Sequence, residues 1–413
     1  MPEDAFERLL ADARLQHNPL GLHLSSFATS LREAGYAQAT LQEKLGCLAE
    51  FGHWLGRRGG AVPDLDERLV ARFVTSRERT GRLHRGDRET LRQFLDHLRT
   101  QAVIPGPPPV RDAAPWAALL ARYERHLRAE RGVVTATVAN YLPYIRTFLN
   151  ERFRARPFRV RAVRAADVAA FVLRHAPTMS PRRAQLMTSA LRSFFRFLFR
   201  EGALPANLAE AVPTVAAWRG STIPKYLRPE DVARVLEGCD RRTATGRRDH
   251  AILLLLARLG LRAGEVVALR LEDLDWRAGE LLVRGKGLVH DRLPLPVEVG
   301  AAFAASLQDR PACRTRRVFV RRKAPRRGFA GPSTVSTIVR RALERAGLQP
   351  ALKGAHLLRH SLATTLLRAG ASLGEIGEVL RHRLPRTTEL YAKVDVAGLR
   401  ALAHPWPQLG GGQ

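Results

Sequence analysis

The sequence predicts a mainly α-helical protein with one small antiparallel β-sheet in its carboxyl-terminal half. Across the first 215 residues, apolar side chains recur every three or four positions, which is the spacing of amphipathic helices. Residues 280–284 and 292–296 instead resemble two short strands on either side of a glycine-flanked turn at Lys286. Helical spacing resumes from about Thr334. The carboxyl-terminal part is therefore predicted to be an α+β domain.

The first half of the chain is predicted to form two similar bundles of four or five helices each. Residues 91–98 match residues 191–198 in the order of their apolar side chains, and other segments match at an offset that drifts from about 96 to 100 residues. Chance similarity between amphipathic segments is the alternative. Two stretches interrupt the helices: 105–109 is rich in proline, and 213–224 begins and ends with proline and contains Gly-Ser-Thr at 220–222. The predicted parts are a first bundle at 1–105, a second bundle at 112–215, the α+β domain at 222–400 and a tail at 401–413.

One helix of the α+β domain is predicted to be central. Residues 249–258 are mostly apolar, and Gly260 follows them. Because glycine fits the left-handed turn after a helix, this helix is expected to end there, directly before Arg262.

The charge distribution points to a polyanionic partner. The formal net charge is +29, of which residues 1–105 contribute +1, residues 106–217 contribute +11 and residues 218–413 contribute +17. A large positive field is typical of proteins that bind nucleic acid. An arginine-rich codon bias is the alternative, but such a bias need not spare the first hundred residues. Contact with nucleic acid is therefore expected from residue 106 onward and only weakly before it.

Composition excludes several other classes of protein. The first residues are acidic and lack an apolar core, so no signal peptide is expected. The longest purely apolar run, residues 251–257, is far shorter than the roughly 20 residues that span a bilayer. Cys47, Cys239 and Cys313 are isolated and predict neither a disulfide framework nor a zinc site. We expect a soluble, cytoplasmic protein with no membrane partner, cofactor or metal.

A set of basic and aromatic residues near the carboxyl end is suited to holding and attacking a phosphodiester. Arginine supplies fixed, permanently charged donors in pairs, and tyrosine supplies an oxygen nucleophile. The set contains no obvious metal ligands. Its members are Arg262, Lys286, His356, Arg359, His382 and Tyr391, with Glu265 and His360 as supporting residues.

The motifs that contain these residues resemble the tyrosine recombinase family, also called the phage integrase family, which includes Xer-like site-specific recombinases. The matching pieces are GLRAGE at 260–265, GKG at 285–287, HLLRHSLAT at 356–364, LRH at 380–382 and TTELY at 387–391. The resemblance is strong over about 225–395 and moderate over 115–212. It implies a catalytic domain preceded by a SAM-like core-binding domain that contacts DNA, and it leaves 1–105 as an accessory SAM-like bundle. Arg381 departs from the family, which usually has glycine before the histidine.

The resemblance implies a site-specific DNA recombinase that works without metal or ATP. Tyr391 would attack the phosphodiester and form a 3′-phosphotyrosyl intermediate, which a 5′-hydroxyl can reverse. Arg262 and Arg359 suit the charge that develops on the phosphate oxygens, and His382 can donate to the same phosphate. A phenol with a pKa near 10 needs a base or a cationic pocket to attack at neutral pH.

Two further roles complete the expected reaction. His356 is the candidate base for the phenol, and His360 is expected to support a catalytic group without acting itself. Lys286, on its turn, would protonate the leaving 5′-oxygen. Because recombination joins two duplexes, the resemblance also implies a homotetramer or a mixed assembly with other recombinases on DNA.

Each residue also has an ordinary structural interpretation. Arg262 alone resembles a helix-end arginine in a salt bridge, and Tyr391 alone resembles a core aromatic packed on Leu366 or Leu367. For the whole protein, two alternatives remain: a DNA-binding protein of this fold without strand exchange, and an enzyme that relaxes DNA like a type IB topoisomerase. The basic runs at 314–323 and 340–341 are expected to contact phosphates rather than bases.

Overall fold

The computed structural model describes residues 18–106, 114–154, 157–215, 224–285 and 290–394. Over these residues the protein is mostly helical and contains one three-stranded antiparallel sheet, which confirms the predicted fold class. None of the helices in these ranges is long and apolar enough to cross a membrane. Lys286 and the tail at 401–413 lie outside the described residues.

Within its described residues, 18–105, the first bundle has four helices around a hydrophobic core of its own. They are α1 (Gly21–Glu33), α2 (Gln38–Gly56), α3 (Glu67–Arg79) and α4 (Asp87–Thr100). Asp66 caps α3 by accepting a hydrogen bond from the Leu69 backbone at 2.8 Å. Buried phenylalanines, among them Phe27, Phe51 and Phe94, fill the space between the helices.

The second bundle repeats this arrangement around a separate core. Its helices are α5 (Ala117–Arg125), which continues as one π-helical turn, α6 (Thr135–Phe153), α7 (Ala165–His175) and α8 (Pro181–Arg200). The second helix of each bundle has 19 residues. The two matched segments lie on α4 (91–98) and α8 (191–198). In each segment the leucines and phenylalanines are buried in the core of their bundle.

The α+β region begins with helices that surround one long buried helix. They are α9 (Pro229–Glu237), α10 (Ala244–Arg258) and α11 (Ala263–Ala268). Residues 251–257 of α10 are all buried, so this helix is the centre of the main hydrophobic core. Gly260 follows α10 with φ +58°, the left-handed conformation predicted for it.

The sheet follows α11 and consists of β1 (Leu274–Asp275), β2 (Glu280–Arg284) and β3 (His290–Pro294), in that order and all antiparallel. Leu281 lies opposite Leu293, and Arg284 lies opposite His290. The region ends with α12 (Val297–Gln308), α13 (Pro332–Arg345), α14 (Ala355–Arg368) and α15 (Leu373–Val379).

The sequence prediction that helices resume only at about Thr334 was wrong, because α12 already follows β3. Val299, Ala302, Phe303 and Ser306 of α12 are buried at helical spacing, and α12 packs along α10. The apolar stripe of α12 is short and rich in alanine, so its periodicity is weak in the sequence alone.

The chain divides into two compact units. One consists of Met1–Gly106 together with Thr222–Gln413, and the other of Pro107–Ser221. Within the first unit, the Arg326 backbone donates a 2.7 Å hydrogen bond to the Ala34 carbonyl, and Arg314 pairs with Glu33 at 2.6 Å. Gly35, with φ +83°, lies so close to the Arg326 side chain that a Cβ there would be 2.3 Å from Arg326 Cδ. The first bundle therefore contacts the α+β region directly.

Candidate active site

The predicted site residues of the described chain gather at one end of α10. Arg262 lies directly before α11 as its N-cap residue, and His356, Arg359 and His360 lie on α14. The segment after α15 supplies two more. These two are His382 and Tyr391, the latter in a 3₁₀ turn at Glu389–Val394. A cleft of about 830 Å³ opens beside them.

Arg262 is held by the carboxylate of Glu265. The Arg262 backbone N–H donates to Glu265 Oε2 at 2.8 Å, and Arg262 Nη1 donates to Oε1 at 2.7 Å. Arg262 Nη2 donates to the Arg381 carbonyl at 3.2 Å. The Arg262 side chain is still 39% exposed, so its guanidinium can meet a ligand in the cleft.

Glu265 stays charged although it is buried. Burial alone would raise the pKa of Glu265, but hydrogen bonds from Arg262 and the charge of Arg381 outweigh burial and lower it. The carboxylate can therefore fix Arg262 at neutral pH, which is the supporting role predicted for it from the three-residue spacing.

Arg359 lies beneath the cleft and is only 3% exposed. Its two terminal nitrogens donate to the carbonyls of Gly260 and Leu380, which joins the turn after α10 to the end of α15. Burial, with the nearby charges of Arg262 and Arg381, lowers the pKa of Arg359 to about 10. Arg359 remains charged at neutral pH and adds positive potential under the cleft. The two carbonyls occupy two of its five N–H donors.

The hydroxyl of Tyr391 lies 2.7 Å from Nδ1 of His360. Tyr391 is 2% exposed and packs in a small apolar cluster with Ala363, Ile376 and Leu380. Burial raises the pKa of Tyr391 to about 12, although the charge of Arg359 acts in the opposite direction. The phenol is thus neutral, and its hydroxyl faces a histidine while its ring is part of the core.

His360, rather than His356, is the histidine next to the phenol. The rings of His356 and His360 are 6.2 Å apart between centroids, and those of His360 and Tyr391 are 5.6 Å apart. Burial, with the neighbouring charges of His356 and Arg359, lowers the pKa of His360 to about 4. A neutral imidazole with its proton on Nε2 accepts the phenol hydrogen at Nδ1.

His382 borders the cleft beside Tyr391. Its ring is parallel to that of Tyr391, with centroids 6.4 Å apart, and its Nδ1 lies 2.8 Å from Oγ1 of Thr388. Burial, with the charges of Arg359 and Arg262, lowers the pKa of His382 to about 4. When Nδ1 accepts the Thr388 hydroxyl hydrogen, Nε2 carries the proton and can donate to a ligand. The sequence reasoning did not identify Thr388, although it stands inside the TTELY motif.

The low pKa values of His360 and His382 predict a loss of stability in mild acid. Because the folded-state pKa of about 4 is below the ordinary value of about 6.5, the unfolded chain binds protons first as the pH falls. The free energy of unfolding should therefore decrease between pH 6.5 and 4, by roughly 1 kcal/mol per histidine at pH 5 after allowance for partial solvent access. Urea unfolding from pH 7.5 to 5 measures this. His360→Gln should flatten the slope, and an unchanged slope would contradict the assignment.

Several of the basic residues at 314–323 have partners within the protein. The pairs are Arg314 with Glu33, Arg316 with Glu272, Arg317 with the Ala268 carbonyl and Arg322 with the Asp309 carbonyl. Part of this run is thus engaged by the fold itself, which the sequence could not indicate. Among the described residues, no group of three or more His, Cys, Asp or Glu is arranged to hold a metal ion.

Known proteins are similar to this chain over most of its length. Residues 225–397 match the phage integrase family, and residues 120–202 match the N-terminal SAM-like domain of phage integrases. The chain is 44% identical over 400 residues to the putative integrase/recombinase y4rA of Sinorhizobium fredii, covering 96% of each. It is 34% identical to the tyrosine recombinase XerC of Alcanivorax borkumensis, covering 68% of this chain and 92% of that protein.

Solved structures have the same fold. XerH site-specific recombinase bound to a palindromic difH substrate aligns with a TM-score of 0.56 at 20% identity, over 68% of this chain and 83% of that one. A lambda integrase (75–356) dimer bound to a COC′ core site aligns with a TM-score of 0.51 at 20% identity, over 66% of this chain and 94% of that one.

Proposed function

Because the chain belongs to the phage integrase family of tyrosine recombinases, we propose that it cleaves and rejoins double-stranded DNA at specific sites through Tyr391. The observation that carries this proposal is the 2.7 Å contact between the Tyr391 hydroxyl and His360, next to a cleft lined by Arg262 and His382. A nucleophile, a neutral base and a phosphate-binding arginine are the parts that phosphodiester exchange needs.

In the proposed reaction, the Tyr391 oxygen attacks the scissile phosphorus. The phenol proton passes to His360 Nδ1, the P–O bond to the 5′-oxygen breaks, and Lys286 protonates that oxygen. The product is a 3′-phosphotyrosyl ester, which a 5′-hydroxyl of another strand reverses. Because this ester retains the bond energy, rejoining as proposed requires no ATP. Arginine side chains supply the positive charge at the phosphate, so the reaction as proposed requires no metal ion.

Arginine charge accounts for the stabilisation of the transition state. Arg262 would contact the equatorial oxygens from the cleft, and His382 Nε2 would donate to the same phosphate. Arg359 would donate to the phosphate from beneath the cleft, through the N–H groups that are not bonded to the Gly260 and Leu380 carbonyls. We assign the base to His360 and not, as the sequence first suggested, to His356.

The burial of Tyr391 implies a conformational step before cleavage. A side chain that is 2% exposed cannot reach a phosphate in the cleft, so we propose that DNA binding shifts the turn at Glu389–Val394 and exposes the hydroxyl while it stays within reach of His360. Such a step would protect the phenol until a duplex is in place.

We further propose that the enzyme works as a homotetramer or with other recombinases, in the cytoplasm where its DNA substrate lies. Exchange between two duplexes requires more than one active site. XerH and lambda integrase have both been solved bound to their DNA sites, and the lambda integrase structure is of a dimer.

A nicked duplex made from the DNA that flanks this gene tests the function. Accumulation of a covalent protein–DNA adduct, together with exchanged strands on two intact duplexes, supports the proposal. Relaxation of supercoils without exchange would favour a topoisomerase-like enzyme. Binding without any adduct would favour a DNA-binding protein of this fold.

The first bundle is proposed to act through protein contacts and not as a DNA-binding domain. Residues 1–105 carry a net charge of only +1, and this bundle contacts the α+β region at Glu33, Ala34 and Gly35. We expect the isolated segment 1–105, which has its own core, not to bind duplex DNA at micromolar concentration. Gel-shift titration at several salt concentrations measures this. Micromolar affinity with a steep salt dependence would contradict it.

A further inference from the structure

We propose that Arg381 is a positioning residue of the active site, which fixes Arg262 through the carboxylate they share. This inference rests on the proposed function and assigns a role to the residue that departs from the family pattern. Arg381 stands between Leu380 and the site residue His382, and its side chain lines the same cleft.

The first support is the conformation of Arg381. Its φ is +54°, the left-handed region that non-glycine residues adopt only at a cost in free energy. Its backbone N–H bonds to the Glu378 carbonyl at 2.9 Å, which closes the turn after α15. Glycine would form this turn without strain. The arginine side chain must therefore contribute something that offsets the strain.

The second support is the hydrogen-bond network around Glu265. Arg381 Nη2 donates to Glu265 Oε2 at 2.9 Å, the same oxygen that accepts from the Arg262 backbone. Glu265 Oε1 accepts from Arg262 Nη1. The Arg381 carbonyl accepts from Arg262 Nη2. Arg381 thus holds Arg262 twice, once through its own carbonyl and once through Glu265.

The third support is the charge balance, which separates positioning from direct phosphate binding. The Arg381 side chain is only 7% exposed, against 39% for Arg262. Its guanidinium lies between two carboxylates, because Nε is also 3.9 Å from Oδ2 of Asp291 on β3. Glu265 and Asp291 offset much of the positive potential of this buried guanidinium, so Arg381 is poorly placed to bind a phosphate directly. Arg262, which is more exposed, is the member of the pair that can reach one.

The test compares single-turnover cleavage rates at saturating DNA, so that differences in DNA affinity between the variants do not affect the measured rates. Arg381→Gly keeps the turn and the carbonyl but removes the guanidinium, and we expect its rate to fall roughly 10- to 100-fold. Arg381→Lys keeps the charge without the paired donors and should recover only part of the rate. Arg277→Gly, which removes one exposed arginine from the turn between β1 and β2, is the matched control and should cleave at the wild-type rate.

Two further measurements distinguish positioning from other roles. If Arg381 acts only through Arg262, the double variant Arg381→Gly/Arg262→Ala should cleave no more slowly than Arg262→Ala alone. A double variant whose rate falls by the product of the two single losses would overturn the proposal. On a substrate whose scissile phosphate is an uncharged methylphosphonate, the defect of Arg381→Gly should shrink, because less charge needs to be stabilised. An equal defect on both substrates would indicate a merely structural role and would also overturn it.

Failure of this inference is distinct from failure of the proposed function. If the wild-type protein forms no adduct on any substrate, the strand-exchange proposal fails. If the wild type forms adduct and Arg381→Gly matches its rate, with thermal melting unchanged, only the role of Arg381 fails.

Discussion

Tyr391→Phe is expected to form no covalent adduct with a nicked duplex, while it binds the same duplex as tightly as the wild type. The phenol oxygen is the proposed nucleophile, and phenylalanine has none to offer. The ring itself should stay in place, since it packs in the cluster with Ala363, Ile376 and Leu380. The missing hydrogen bond to His360 should cost about 1 kcal/mol of stability. Denaturing electrophoresis of the reaction measures the adduct.

Tyr226→Phe is the matched control for this experiment. The Tyr226 hydroxyl also has a side-chain partner, because it accepts a 2.6 Å hydrogen bond from Arg368 in the same region of the protein. Loss of that hydroxyl should leave adduct formation at the wild-type level. If Tyr391→Phe still forms adduct, the nucleophile is another residue, and the assignment of Tyr391 is wrong.

Alanine variants of Arg262 and Arg359, the two arginines proposed to stabilise the phosphate, should lose similar cleavage activity but unequal stability. Replacing either Arg262 or Arg359 with alanine is expected to reduce the cleavage rate on the order of 10²- to 10³-fold, if both stabilise the transition state. Arg359→Ala should also destabilise the fold by about 2–5 kcal/mol, because the buried carbonyls of Gly260 and Leu380 lose their donors. Arg262→Ala should cost less than about 2 kcal/mol, since Arg381 still pairs with Glu265. Single-turnover cleavage and urea unfolding measure the two effects.

Arg359→Lys is a second variant, used in case Arg359→Ala does not fold. Lysine keeps the charge but cannot donate to two carbonyls in the fork geometry of arginine, so its stability should be intermediate. Equal destabilisation of Arg262→Ala and Arg359→Ala would contradict the structural role of Arg359. Wild-type cleavage by Arg262→Ala would contradict the proposed phosphate contact of Arg262.

The sequence determined the family of the protein, its fold class and the set of residue types at the site. Arg262 could be paired with Glu265 from spacing alone, because three residues at the start of a helix bring a side chain back to the first backbone N–H. The left-handed turn at Gly260 was predictable for a similar reason, since only local backbone geometry decides it. Such features depend on neighbours within a few residues.

Only the tertiary structure decided which histidine faces the hydroxyl of Tyr391, the proposed nucleophile. His356 and His360 are four residues apart, so they share one face of α14 and no periodicity separates them. The turn that carries Tyr391 places its hydroxyl against His360. Likewise, Arg381 meets Glu265 across 116 positions of sequence, and that contact follows from the left-handed turn after α15. Contacts between residues far apart in sequence depend on how whole elements pack, which no local pattern contains.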